Sequence, residues 1–187
     1  MRSAVFLDRD GVLNRAFVVD GVPHPPAAPE ELELLPGVRE ACAALHEAGL
    51  LLVVVTNQPD IARGSVQAGS VDLDNETLRA ALPLDDIVVC PHDDADGCTC
   101  RKPKPGMLVD AARRHGIDLA RSVMVGDRWR DIAAGQAAGC RTVFVDHGYA
   151  EPQPISPDLT ASSLVDAVAW ILEHVSSNAV VREEECT

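Results

Sequence analysis

"AVFLDRDGVLN", residues 4–14, passes from four apolar residues straight into two aspartates and a glycine. An apolar run this short, stopped by charge, reads as a strand buried on both faces. The same signature returns in "LLLVVV" (50–55), "DIVVC" (86–90), "SVMV" (122–125) and "TVFV" (142–145). Between these runs the spacing predicts helices over 38–48, 76–82, 107–115 and 131–138, with a last one over 163–175. Gly49, Gly116 and Gly139 stand where helices commonly end. Five strands alternating with helices imply an α/β fold, a Rossmann-like, doubly wound parallel sheet. Such sheets bind ligands beyond the carboxyl ends of their strands. The residues to inspect are therefore Asp8 and Asp10, Thr56 and Asn57, the cysteine-rich loop after residue 90, and Asp127.

Composition narrows the partners. The chain has 187 residues and is 47% hydrophobic, enough for one buried core, and aromatic residues are only 3%. One domain is expected over 1–175, with 176–187 as a flexible tail. A net charge of -13 opposes nonspecific binding to nucleic acid or anionic membrane, yet a small anion can still bind where basic groups are focused. The segment "MRSAVFLDRD" reaches charge too early for a secretory signal, and no apolar run has the roughly 18 residues of a membrane span. The expected location is the cytoplasm. Six cysteines there suit metal ligation better than disulfides, with Cys42 and Cys140 as buried thiols and Cys186 in the tail.

Asp8 and Asp10, followed by Gly11, are compatible with a plain solvated turn. "VGDRWRD" (125–131) adds Asp127 and Asp131 at the end of a second strand. Carboxylates converging from two strand ends repel unless a cation lies between them, and hard oxygen ligands suit Mg2+. Such a metal would also neutralise a phosphate. The only two lysines, Lys102 and Lys104, stand in "CTCRKPKPGM" (98–107). Lys104, between prolines, reads as exposed. Asp131 reads first as a helix cap, with a water-mediated metal contact as the second possibility.

"DRDG" (8–11), "VVVTNQ" (53–58), the lysine of "RKPKPG" (101–106) and "GDRWRD" (126–131), in that order, resemble the four motifs of the haloacid dehalogenase-like phosphohydrolases. The resemblance implies Asp8 as nucleophile, Asp10 as general acid/base, and Mg2+ held by Asp8, the backbone carbonyl of Asp10 and Asp127. It further implies that Lys102, Thr56 and Asn57 hold the phosphoryl group. A compact ammonium reaches a single phosphoryl oxygen where a guanidinium fork would not.

"CPHDDADGCTC" (90–100) supplies Cys90, His92, Cys98 and Cys100, enough for a closed, structural zinc site; the alternative is free thiols or a labile disulfide. The same stretch, followed by "RKPKPGM", and "TNQPDIARG" (56–64) resemble the branch holding heptose bisphosphate and histidinol-phosphate phosphatases. No segment has the length of a large cap domain. Substrate choice then falls to loops 15–30, 58–65 and 91–101, with Arg101 and Arg128 facing a distal phosphate. The implied substrate is a small phosphorylated sugar, D-glycero-D-manno-heptose 1,7-bisphosphate losing its 7-phosphate. The rivals are histidinol phosphate, whose amine Asp93, Asp94 and Asp96 could meet, and a noncatalytic phosphate-binding module. The expected oligomeric state is a monomer.

Overall fold

The computed structural model describes residues 1–26 and 28–175; the expected tail and Cys186 lie outside the described residues. The chain runs β1 (Ala4–Leu7), β2 (Phe17–Val19), β3 (Val22–His24), α1 (Val38–Glu47), β4 (Leu51–Asn57), α2 (Ala68–Ala81), β5 (Asp86–Cys90), α3 (Gly106–His115), β6 (Val123–Gly126), α4 (Trp129–Ala138), β7 (Arg141–Val145), β8 (Leu159–Ala161) and α5 (Leu164–Val175). Six strands form one sheet in the order β5-β4-β1-β6-β7-β8, and the pairings are parallel. β1 is central. Its register sets Leu7 beside Val54 and Val125, so Asp8 emerges between the ends of β4 and β6.

Alternating strand side chains divide the core between the two faces. Val5 and Leu7 join Leu52, Val54, Val125 and Val143 beneath α1 and α5, whereas Ala4 and Phe6 join Val53, Val55 and Met124 beneath α3 and α4. The helices cover both faces, which is why the strands are continuously apolar.

Three elements depart from the sequence expectation. The helix expected over 76–82 begins at Ala68, with Val71 and Leu78 buried; Gly69, Ser70 and Asp72 are weak helix formers, and packing overrides them. A sixth strand, β8, lies at the sheet edge, just after the proline-rich stretch "EPQPISP" (151–157), where no apolar run predicts one. The first loop holds the antiparallel hairpin β2–β3, turning at Asp20 and Gly21, which both have positive φ. Asp-Gly between apolar residues is a strong signal for a two-residue hairpin turn.

Candidate active site

The ends of β1, β4 and β6 and the start of α4 enclose a cavity of about 250 Å³ lined by Asp8, Asp10, Thr56, Lys102, Asp127 and Asp131, among others. Lys102 is buried at its floor. Its Nζ donates to Asp8 Oδ1 at 2.8 Å and the Val55 carbonyl at 2.8 Å, and pairs with Asp131 Oδ1 at 2.6 Å. These partners use all three ammonium protons. Burial alone would lower the Lys102 pKa, but Asp131 and Asp8 outweigh it and hold the amine protonated.

Asp8, Asp127 and Asp131 can offer ligand oxygens within 4.8 Å of one another. Burial, aided by the neighbouring carboxylates, raises the pKa of Asp8 and raises that of Asp127 well above the usual range. Asp127 is 2% exposed; the Tyr149 hydroxyl lies against its carboxylate, but neither oxygen has a hydrogen bond of full geometry among the described residues. One lysine does not balance three such carboxylates. The three converging carboxylates and the under-bonded oxygens of Asp127 fit a hard divalent cation. Asp131 is both the helix cap expected and a member of this cluster: its Oδ2 accepts from the Arg128 amide at 3.0 Å while Oδ1 meets Lys102. Two glycines allow the crowding. A Cβ on Gly11 would sit 1.9 Å from Asp127 Oδ2, and one on Gly126 would sit 2.1 Å from Asp131 Cβ.

Asp10 faces the same cavity and is gripped on both oxygens. Asn14 Nδ2 donates to Oδ1 at 2.9 Å, Gln58 Nε2 to Oδ2 at 3.0 Å, and Arg9 Nε lies across both at 3.3 and 3.2 Å. Gln58 also donates to Thr56 Oγ1 at 2.9 Å. The Asn57 side chain also engages the lysine. Its Nδ2 donates to the Lys102 carbonyl at 3.0 Å and its Oδ1 accepts from the Lys102 amide at 3.1 Å, so it clamps the lysine backbone while bordering the cavity.

Cys90, His92, Cys98 and Cys100 gather as the spacing predicts. Sulfur–sulfur separations are 3.2, 3.4 and 3.8 Å, and His92 Nδ1 stands 3.3 and 3.7 Å from two sulfurs. A tetrahedron built on zinc–sulfur bonds has sulfur–sulfur edges of about 3.8 Å, close to this spread. Burial, helped by contact with Cys100, pushes the Cys90 thiol up to about 12. Without a cation the Cys90 thiol stays protonated.

The arginines at the mouth are held by acids. Arg101 donates to Asp94 at 2.8 Å, Arg63 to Asp93 at 2.7 Å, and Arg128 Nε to Glu151 at 2.8 Å. Arg101 and Arg128 both border the cavity, and Lys104 is exposed, as expected, its Nζ reaching the carbonyls of Gly97 and Cys98. Gln58, Asn14 and Arg9 were not anticipated. Gln58 lay within a quoted motif and Arg9 between the two aspartates, the signals that could have found them.

A HAD-hydrolase-like family model matches residues 99–167. The D-glycero-β-D-manno-heptose-1,7-bisphosphate 7-phosphatase of Bordetella bronchiseptica is 40% identical over 152 residues, spanning 77% of this chain and 80% of its own. A D-glycero-D-manno-heptose-1,7-bisphosphate 7-phosphatase of Thermosynechococcus vestitus is 37% identical, over 94% of this chain and 98% of the relative. The crystal structure of the D,D-heptose 1,7-bisphosphate phosphatase of B. bronchiseptica, complexed with magnesium and phosphate, is similar with a TM-score of 0.77 at 34% identity, covering 91% of this chain and 98% of that one. A parallel sheet with carboxylates and a buried lysine at its strand ends thus defines a phosphatase of the haloacid dehalogenase-like class. Within that class, the chain belongs to the heptose 1,7-bisphosphate 7-phosphatase family.

Proposed function

We propose that this phosphatase removes the 7-phosphate of D-glycero-D-manno-heptose 1,7-bisphosphate by way of an aspartyl-phosphate on Asp8. The observation that carries the mechanism is Lys102 locked to Asp8 Oδ1, which leaves Oδ2 as the oxygen free of the lysine to attack. Asp8 bonds to phosphorus as the bond to the sugar oxygen breaks, and Asp10 gives that oxygen its proton. Asp10 then takes a proton from water, whose oxygen attacks phosphorus, releasing inorganic phosphate and regenerating Asp8. The carboxylates of Asp8 and Asp127, with the backbone carbonyl of Asp10, would hold Mg2+, and Asp131 lies within the same cluster. When bound, Mg2+ neutralises charge on the phosphoryl group. Thr56 and Asn57 border the phosphate position, Asn57 also fixes Lys102, and Arg101 and Arg128 stand toward the distal phosphate.

The cysteine cluster serves as a structural zinc site that holds Arg101 and Lys102 in place. The names of the relatives, and the arginines that border a small cavity, support a phosphorylated sugar. Histidinol phosphate is the second reading. Its amine would want free carboxylates, but Asp93 and Asp94 are already paired with Arg63 and Arg101. We further read residues 1–175 as one cytoplasmic, monomeric domain; no helix among the described residues is long and apolar enough to cross a membrane. The decisive test is phosphate release with Mg2+, comparing kcat/KM for both anomers of the heptose bisphosphate with that for histidinol phosphate. A preference for a heptose anomer is expected; a preference for histidinol phosphate would overturn the substrate and leave the chemistry standing.

A further inference from the structure

The alternation at the end of β1 puts Asp8 and Asp10 toward the cavity, while Arg9 between them is 1% exposed and does not line it. Arg9 contacts no substrate position, yet it lies against both oxygens of Asp10, with Nη2 at 3.2 Å from Oδ2 as well as Nε. Its other nitrogen, Nη1, points to Asp74 Oδ2 on α2 at 3.5 Å. Asp74 is 5% exposed and its neighbour Asn75 8%. Among the described residues, Arg9 Nη1, Asp74 Oδ1 and Asn75 Oδ1 have no hydrogen-bond partner. A buried, incompletely bonded ion pair is a poor stabilising device, since apolar side chains of the same volume usually do as well. Another reason for the pair is needed, and Asp10 supplies it.

We propose that Arg9 and, through it, Asp74 are positioning residues that aim the Asp10 carboxyl for proton transfer to the leaving oxygen. This rests on the reading of Asp10 as general acid/base. Asn14 and Gln58 each touch one oxygen of Asp10, whereas Arg9 spans both and so fixes the plane of the carboxyl group. Asp74 in turn fixes the guanidinium, and with it α2 becomes part of the proton-transfer geometry. The proton on the Asp10 carboxyl leaves for the sugar oxygen as the phosphorus–oxygen bond breaks. If the carboxyl is turned away, that oxygen must depart as an alkoxide. An aryl leaving group such as 4-nitrophenolate departs unprotonated and is indifferent to the change.

The test compares kcat/KM for heptose 1,7-bisphosphate and 4-nitrophenyl phosphate in wild type, Asp10→Asn and Asp74→Asn. This ratio covers the steps up to leaving-group departure, so hydrolysis of the aspartyl-phosphate does not enter. Asp10→Asn should lose about 10²-fold or more on the sugar phosphate and far less on the aryl ester. An equal loss on both would remove the acid assignment itself, and the proposal with it. Given the selective loss in Asp10→Asn, Asp74→Asn should lose about tenfold on the sugar phosphate and stay within about threefold on the aryl ester. Equal losses, or none, in Asp74→Asn would leave a merely structural ion pair and overturn the proposal while sparing Asp10. Arg9→Met, a near-isosteric neutral variant, should repeat the selective pattern if it folds; Asp74→Asn decides the matter if it does not.

Discussion

Lys102 divides its three protons between two carboxylates and a backbone carbonyl, and this division sets what single substitutions do. Asp8→Asn keeps the size of the side chain and removes the nucleophile; turnover should fall at least about 10³-fold with the circular dichroism spectrum unchanged. A noncatalytic phosphate binder would show no turnover to lose. Lys102→Met does something different. It leaves Asp8, Asp127 and Asp131 together without their cation, and removing one partner of a buried pair costs about 3–5 kcal/mol. Urea titration without Mg2+ should show that loss, and saturating Mg2+ should recover part of it. Asp8, Asp10 and Asp127 are legible in the sequence because a strand end followed by polar residues gives their position, whereas Lys102, 12 residues beyond the end of β5, is legible through the resemblance of its motif. The clamp of Asn57 on Lys102 is not, since the two stand 45 positions apart and only the fold brings them together. Asp131 is half legible: its place at a helix start suggests a cap, but its second oxygen meets a lysine from a distant loop.

At the scale of elements, β5 and the cysteine loop hand Lys102 to the site. The purified protein should contain one zinc per chain by elemental analysis, and Cys98→Ser should lower both the melting temperature and kcat, because the loop has few apolar residues to hold it otherwise. Mg2+ should not restore the loss. The start of β5 is tied to the end of α3 by Asp86, which has His115 Nε2 and Arg114 Nη1 each at 2.8 Å. Burial would raise the Asp86 carboxyl, but His115 and Arg114 hold it below the ordinary carboxylate range. A depressed carboxyl stabilises the fold above its unfolded value of about 4, and that contribution is lost as pH falls through its folded value. Asp86→Asn should therefore melt a few degrees below wild type at neutral pH, and the gap should close toward pH 3. The central strands and four of the helices are legible from their apolar runs and from the glycines that end three of those helices, Gly49, Gly116 and Gly139. The hairpin carries its signal in Asp20-Gly21, but the first half of α2 and the edge strand β8 carry little: α2 starts with weak helix formers, and β8 has three residues, too few for a pattern.

For the whole molecule, an excess of thirteen negative charges meets a site that itself concentrates carboxylates. Both features make the folded, metal-free state depend on protons. The raised pKa values of Asp8 and Asp127 mean that the native protein retains protons the unfolded chain has already lost. Their contribution is fully present below about pH 4, the unfolded value, and is lost as pH rises through the raised folded values. Mg2+ must displace the same protons, so its stabilisation runs the opposite way: absent near pH 4 and growing through the window in which the two carboxyls give up their protons. At about a hundred times its dissociation constant, a ligand adds about 2.7 kcal/mol. For a chain of this size that is a rise in melting temperature of about 5–10 °C. Thermal melts with and without Mg2+ across pH 4 to 8 should open a gap of that order at the alkaline end and none at the acid end. A gap independent of pH would place the cation away from Asp8 and Asp127, because a site elsewhere has no reason to compete with their protons.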